Sequence, residues 1–136
     1  MKVRDGMNEI VVTVGPGHTL REAARRMTQA SVGAAVVIDP EHQGPAIITE
    51  RDLLRSSGRG EDVDHELVHD HLSSKLVYAK ADWSLELAAQ QMVDGAFRHV
   101  VVLDLGGEVV GILSMRDIVR CWTREGATSD VPVSAG

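Results

Sequence analysis

Apolar positions along this chain follow two rhythms, and each rhythm occurs twice. Leu20, Ala23, Ala24 and Met27 recur at helical spacing, as do Leu85, Ala88, Ala89 and Met92. That spacing lines one face of a helix with apolar side chains. Thr19 precedes the first stripe and Glu22 follows three residues later, which predicts a capping box; Ser84 caps the second helix. Small side chains make the stripe narrow, so each helix should pack close against a sheet. Residues 34–38 are a continuous apolar run and predict a strand buried on both faces, and residues 99–103, apolar after His99, predict another. Residues 46–48 and 109–113 predict their partner strands, and Leu105-Gly106-Gly107-Glu108 predicts a tight hairpin turn. Residues 11–14 form a brief strand closed by the turn Gly15-Pro16-Gly17, and residues 76–79 form its second copy. Helices over 50–56 and 115–122 end the two copies, and residues 3–8 and 67–73 each predict a turn of helix.

The two rhythms are one module repeated at an offset of 65 positions. Val3 and Asp5 meet Val68 and Asp70; Val36, Val37 and Asp39 meet Val101, Val102 and Asp104; Ile47, Arg51 and Arg55 meet Ile112, Arg116 and Arg120. No gap is needed from Val3 to Arg55, so tandem duplication explains the pattern. The predicted organisation is a first unit over 1–57, a linker over 58–66, a second unit over 67–123 and a loose tail over 124–136. The linker is polar, glycine-containing and aperiodic. Units of roughly 60 residues bury too little surface to be robust alone, so a single shared core is expected.

Bulk properties narrow the function. The chain of 136 residues has 43% apolar and 25% charged residues, ordinary for a soluble globular protein. No apolar run approaches the ~20 residues that cross a bilayer, and the N-terminal residues lack the apolar stretch of a signal peptide. Cys121 is the sole cysteine, which fits a reducing cytoplasm. A formal net charge of −6 and only four aromatic residues argue against a nucleic-acid partner.

The chemistry gathers at two turns. Ala46-Ile47-Ile48-Thr49-Glu50-Arg51-Asp52 and Gly111-Ile112-Leu113-Ser114-Met115-Arg116-Asp117 each run from an apolar strand to a hydroxyl, then an acid three residues later. With Val3-Arg4-Asp5-Gly6-Met7, Val68-His69-Asp70-His71-Leu72, Val32-Gly33-Ala34 and residues 97–104, these turns resemble a tandem pair of CBS domains, a Bateman module. The resemblance spans residue 3 to about residue 122. It implies an α/β (α+β) fold: two β-α-β-β-α units related by a pseudo-two-fold and packed through their small sheets. It also implies a non-catalytic regulatory role, with an adenine nucleotide such as AMP, ADP or ATP, or a related adenosyl ligand, bound in clefts between paired units. A partner in trans would receive the signal. The other reading is a ligand-free module for protein interaction and dimerisation.

The turn suits such a ligand. A helix start offers free N–H groups and the positive end of a dipole to an anion, and an ionised carboxylate can accept both hydroxyls of a ribose. The resemblance assigns Asp52 and Asp117 to ribose, Thr49 and Ser114 to ribose or phosphate, and the neighbourhoods of Val12 and Val77 to adenine. Arg98 and His99 stand where the family often reaches phosphates. The same residues also read as helix caps with an acid at the third position, each worth ~1 kcal/mol. The copies differ: Gly111 would let backbone approach a ligand closely, whereas Ala46, after Pro45, departs from the pattern, and Arg98-His99 corresponds to Gly33-Ala34. One functional site and one weak or empty site are therefore expected.

Two further features need placing. His65-Glu66-Leu67-Val68-His69 matches the H-E-x-x-H zinc-hydrolase motif. The repeat sets His69 at an ordinary solvent-facing position, so neither a catalytic site nor a metal is expected there, even with His71 or His99 as a third ligand. Cys121 is expected to be a buried structural thiol. Met115, Ile118, Val119 and Trp122 share one side of the last helix and, with Leu53 and Leu54, predict either core contacts or a homodimer through helices 50–56 and 115–122.

Overall fold

A computed structural model describes residues 1–9, 11–41, 45–72 and 78–125. In chain order the elements are α1 (Val3–Gly6), β1 (Thr13–Val14), α2 (Leu20–Ala30), β2 (Ala34–Val37), β3 (Ala46–Thr49), α3 (Glu50–Gly58), a 3-10 turn (Val68–Asp70), β4 (Tyr78–Lys80), α4 (Leu85–Gly95), β5 (His99–Leu103), β6 (Val109–Ser114) and α5 (Met115–Glu125). They form a mixed α/β fold with two three-stranded sheets, ordered β1-β2-β3 and β4-β5-β6. In each sheet the first pair is parallel and the second antiparallel. A parallel pair needs a crossover, and α2 and α4 supply it. The register keeps the 65-residue offset: Ala34 faces Thr49 in one sheet and His99 faces Ser114 in the other.

The chain forms two compact units, and their borders cut across the repeats. Residues 11–72 make an inner unit, while residues 1–9 join 78–125 in an outer unit. Each unit thus takes its opening turn from the other repeat. The hydrogen bonds show why. In the outer unit Val3 N donates to Trp83 O at 2.7 Å and Leu85 N to Met1 O at 3.1 Å. In the inner unit the counterparts do the same: Val68 N to His18 O at 2.8 Å and Leu20 N to Glu66 O at 3.0 Å. Val3 and Val68 are fully buried, so each segment contributes apolar burial as well as backbone pairing.

Residues 58–66 are more than a slack connector. Arg21 N donates to Val63 O at 3.0 Å, the Arg21 guanidinium pairs with Asp64, and His65 N and Glu66 N both reach Asp62 O. Among the described residues the buried apolar side chains form two clusters, one in each unit. One holds Val3, Leu85, Ala88, Met92, Val100, Val102, Leu113 and Ile118; the other holds Val14, Leu20, Ala23, Met27, Ala35, Val37, Ile48 and Val68. The exchange lets each cluster close around its own sheet and helix. All four residues of β2 are buried, as its unbroken apolar run predicts.

Thr19 and Ser84 cap α2 and α4 by accepting from Glu22 N and Leu87 N. The predicted reciprocal bond from the Glu22 side chain does not form. Arg25 and Arg26, one turn on, hold that carboxylate instead and keep it below the usual carboxylate range. The strand expected over 76–79 is seen as Tyr78–Lys80, its first two positions lying outside the described residues. The last helix runs on to Glu125, past the expected start of the tail at 124; residues 126–136 are outside the description.

Candidate functional site

Each repeat builds its strand-to-helix turn in one way. Thr49 N and Thr49 Oγ1 donate to Asp52 Oδ2 at 2.8 and 2.9 Å, and Asp52 N donates back to Thr49 Oγ1 at 3.4 Å. In the second copy Ser114 N and Oγ donate to Asp117 Oδ2, both at 2.8 Å, and Asp117 N returns to Ser114 Oγ at 3.1 Å. Asp52 and Asp117 are 8% and 9% exposed, so these are buried carboxylates satisfied by local donors. Both copies form the cap in full. Arg120 adds a contact to Asp117 Oδ1, a partner one helical turn away that the sequence reading overlooked.

The outer unit gathers most of the predicted residues. His99 and Ser114 are cross-strand partners, and Met115 N donates to the carbonyl of Arg98 at 2.9 Å. Arg98 is exposed and His99 half-buried, so two basic side chains stand beside the Ser114–Asp117 turn. The inner unit has the same scaffold, with Glu50 N on Gly33 O at 2.9 Å, but Gly33 and Ala34 supply no charge there. Val12 is half-buried against the inner core, and its carbonyl accepts from Val36 N at 2.9 Å. Val77 lies outside the described residues.

Gly111 plays a different part from the one expected. A Cβ on it would lie 2.8 Å from Met7 Sδ and 2.9 Å from Asn8 O. The close approach it permits is therefore that of the chain's own N-terminal segment, which bridges to β6 through Asn8 N on Ile112 O at 2.8 Å and Ile112 N on Asn8 O at 3.1 Å. Replacing Gly111 with alanine should cost about 1–2 kcal/mol by overpacking. Urea unfolding would measure it, and an unchanged midpoint would show that the segment gives way freely.

The H-E-x-x-H residues do not converge. His65 pairs with Asp62, His69 with Asp70, and Glu66 with His71. Among the described residues, Glu61, Glu66 and His71 do bring ligand-type atoms within 4.8 Å of one another; Glu61 was not singled out in the sequence. Cys121 is half-buried rather than buried, and lines a cavity of about 450 Å³ with Met1, Asp5, Gly6, Met7, Arg120 and Arg124. Most of the apolar side of α5 is core: Ile118 is 2% exposed, with Met115 and Trp122 packed beside it. Leu54 and Val119, which are repeat counterparts, stay 72% and 55% exposed.

The duplicated unit matches the CBS domain family model twice, over residues 3–59 and 68–123. The CBS domain-containing protein YhcV of Bacillus subtilis is 35% identical over 119 residues, 85% of this chain and 81% of that protein. A Methanopyrus kandleri protein is 30% identical over 111 residues, and the chain spans 57% of that relative's length. Among solved structures, a CBS domain protein of Pyrobaculum aerophilum complexed with AMP is 28% identical, with a TM-score of 0.81 over 95% of this chain and all of that one. Two strand–helix turns in register, two sheets of one topology and these matches lead to one assignment: the chain belongs to the CBS domain family and carries two CBS domains in tandem.

Proposed function

We propose that this CBS pair is a non-catalytic sensor that binds an adenine nucleotide or related adenosyl ligand and signals to a protein partner in trans in the cytoplasm. The observation that carries the reading is the outer-unit cluster. His99 pairs with Ser114 across β5 and β6, and the Arg98 carbonyl accepts from Met115 N at the start of α5, within a fold whose Pyrobaculum relative is complexed with AMP. Ser114 and the α5 start would meet ribose or phosphate, Asp117 the ribose hydroxyls, and Arg98 and His99 the phosphates. Thr49 and Asp52 repeat the turn without that charge, so we assign the stronger site to the outer unit. No described helix is long and apolar enough to cross a membrane. Homodimerisation through α3 and α5 is part of the proposal, and the exposed pair Leu54 and Val119 supports it.

A thermal-shift titration with AMP, ADP, ATP, S-adenosylmethionine and GTP tests the reading. A ligand at 100 times its Kd adds about 2.7 kcal/mol, a shift of several degrees. Stabilisation by one or more adenosyl ligands and not by GTP is the expected result. No shift with any of them would leave a ligand-free interaction module.

A further inference from the structure

The inner unit carries a cluster that the adenosyl site does not use. Glu61 and Glu66 lie on the segment after α3, and His71 follows the 3-10 turn. Their carboxylate and imidazole atoms fall within 4.8 Å of one another. The His71 side chain is 10% exposed, and its Nε2 lies 2.8 Å from Glu66 Oε1. Two polar atoms here have no partner: Glu61 Oε1 is buried without a donor, and so is the hydroxyl of Ser56, a residue of zero exposure. A buried carboxylate oxygen left without a donor is costly, and a cation is one group that satisfies it.

The duplication places Ser56 in the same spot. Ser56 and His71 are the repeat counterparts of Cys121 and Gly6. In the outer unit those two meet, for a Cβ on Gly6 would lie 2.9 Å from Cys121 Sγ. The counterpart of Glu66 is Met1, which lines a cavity there with Asp5, Gly6, Cys121, Arg120 and Arg124. One repeat thus has an open recess lined by one acid and two arginines where the other sets two carboxylates and an imidazole.

We propose that Glu61, Glu66 and His71 form a divalent transition-metal site of the zinc class in the inner unit. Zinc sits about 2.0–2.2 Å from carboxylate oxygen and imidazole nitrogen. The ion therefore needs the His71–Glu66 contact to open slightly and Glu61 to turn in. The imidazole selects against calcium and magnesium, which take oxygen ligands. Water or the Ser56 hydroxyl completes the shell. The site is structural: it fastens the two ends of the 61–71 segment, which hydrogen-bonds to the start of α2. It is independent of the adenosyl reading and of His65 and His69.

The test is calorimetric titration of chelator-treated protein with zinc chloride, with calcium chloride as the hard-ion control. The expected result is one zinc per chain, little heat with calcium, and slowed amide exchange over residues 61–71. Glu61→Gln and His71→Gln should each weaken zinc by more than about tenfold, beyond the low end of the loss seen for even outer partners of a metal site. The double variant His65→Gln/His69→Gln should bind as the parent does. No stoichiometric zinc binding in the parent would overturn the proposal, pointing to a water between these groups. So would binding that survives Glu61→Gln, or binding lost only with His65 and His69, which would mark capture by surface histidines. Circular dichroism separates lost binding from lost fold, and the parent's stoichiometry and exchange pattern stand without any variant.

Discussion

Truncating Leu85 to alanine is expected to cost about 2–5 kcal/mol, and truncating Leu20 to cost a similar amount. Both side chains are fully buried at the first position of a helix. They are repeat counterparts, and each sits where a segment from the other repeat docks. Leu85 N bonds to Met1 O, and Leu85 Cδ2 is 3.5 Å from where a Gly6 Cβ would be. Leu20 N bonds to Glu66 O, and Leu20 shares a cluster with Val68. Each truncation leaves a cavity beneath a docked turn, so the loss should be local as well as global. Hydrogen exchange should show the Val3 amide, held by Trp83 O, deprotected first in Leu85→Ala. The Val68 amide, held by His18 O, should go first in Leu20→Ala. If Leu85→Ala deprotected Val68 and spared Val3, the assignment of residues 1–9 to the outer unit would be wrong.

The same pair of segments marks where sequence reading stops. Strands and helices were legible to within about three residues because their signals are local: the Leu20–Met27 stripe, the unbroken 34–37 run, the hydroxyl caps. The exchange of opening turns is not local. Val3 stands between Lys2 and Arg4 and Val68 between Leu67 and His69, and nothing in these neighbours says which sheet they join. The Glu22 cap failed for a reason that was visible but unweighed, since Arg25 and Arg26 at the third and fourth positions compete for one carboxylate. Gly111 was recognised as a close-approach position, yet what approaches it, Met7 and Asn8, depends on the exchange. The aperiodic 58–66 stretch offers no pattern from which to place Glu61 beside His71, ten residues on.

Asp117→Ala should lower stability by about 2–3 kcal/mol, because hydrogen bonds to a charged acceptor contribute about 1.5–3 kcal/mol. Its Oδ2 accepts from the Ser114 amide and hydroxyl, and Arg120 leans on the other oxygen. The loss leaves the Ser114 amide without its acceptor in a half-buried turn. Asp117→Asn keeps one carbonyl oxygen for that amide and should cost about half as much. Ser114→Ala keeps the amide bond and should cost about 1 kcal/mol, the ordinary value of a cap. Urea unfolding gives this order, and equal costs in all three would show that the carboxylate charge adds nothing. Ligand affinity then separates cap from site. Measured where every variant is folded, AMP binding should weaken roughly 5- to 150-fold in Asp117→Ala, equivalent to about 1–3 kcal/mol for unpaired ribose hydroxyls. Asp52→Ala should leave the stronger site unchanged, because its turn lacks the basic pair. Destabilisation by Asp117→Ala with AMP affinity intact would make this carboxylate a cap alone. The adenosyl ligand would then have to be held by Arg98, His99 and the Ser114 turn without it.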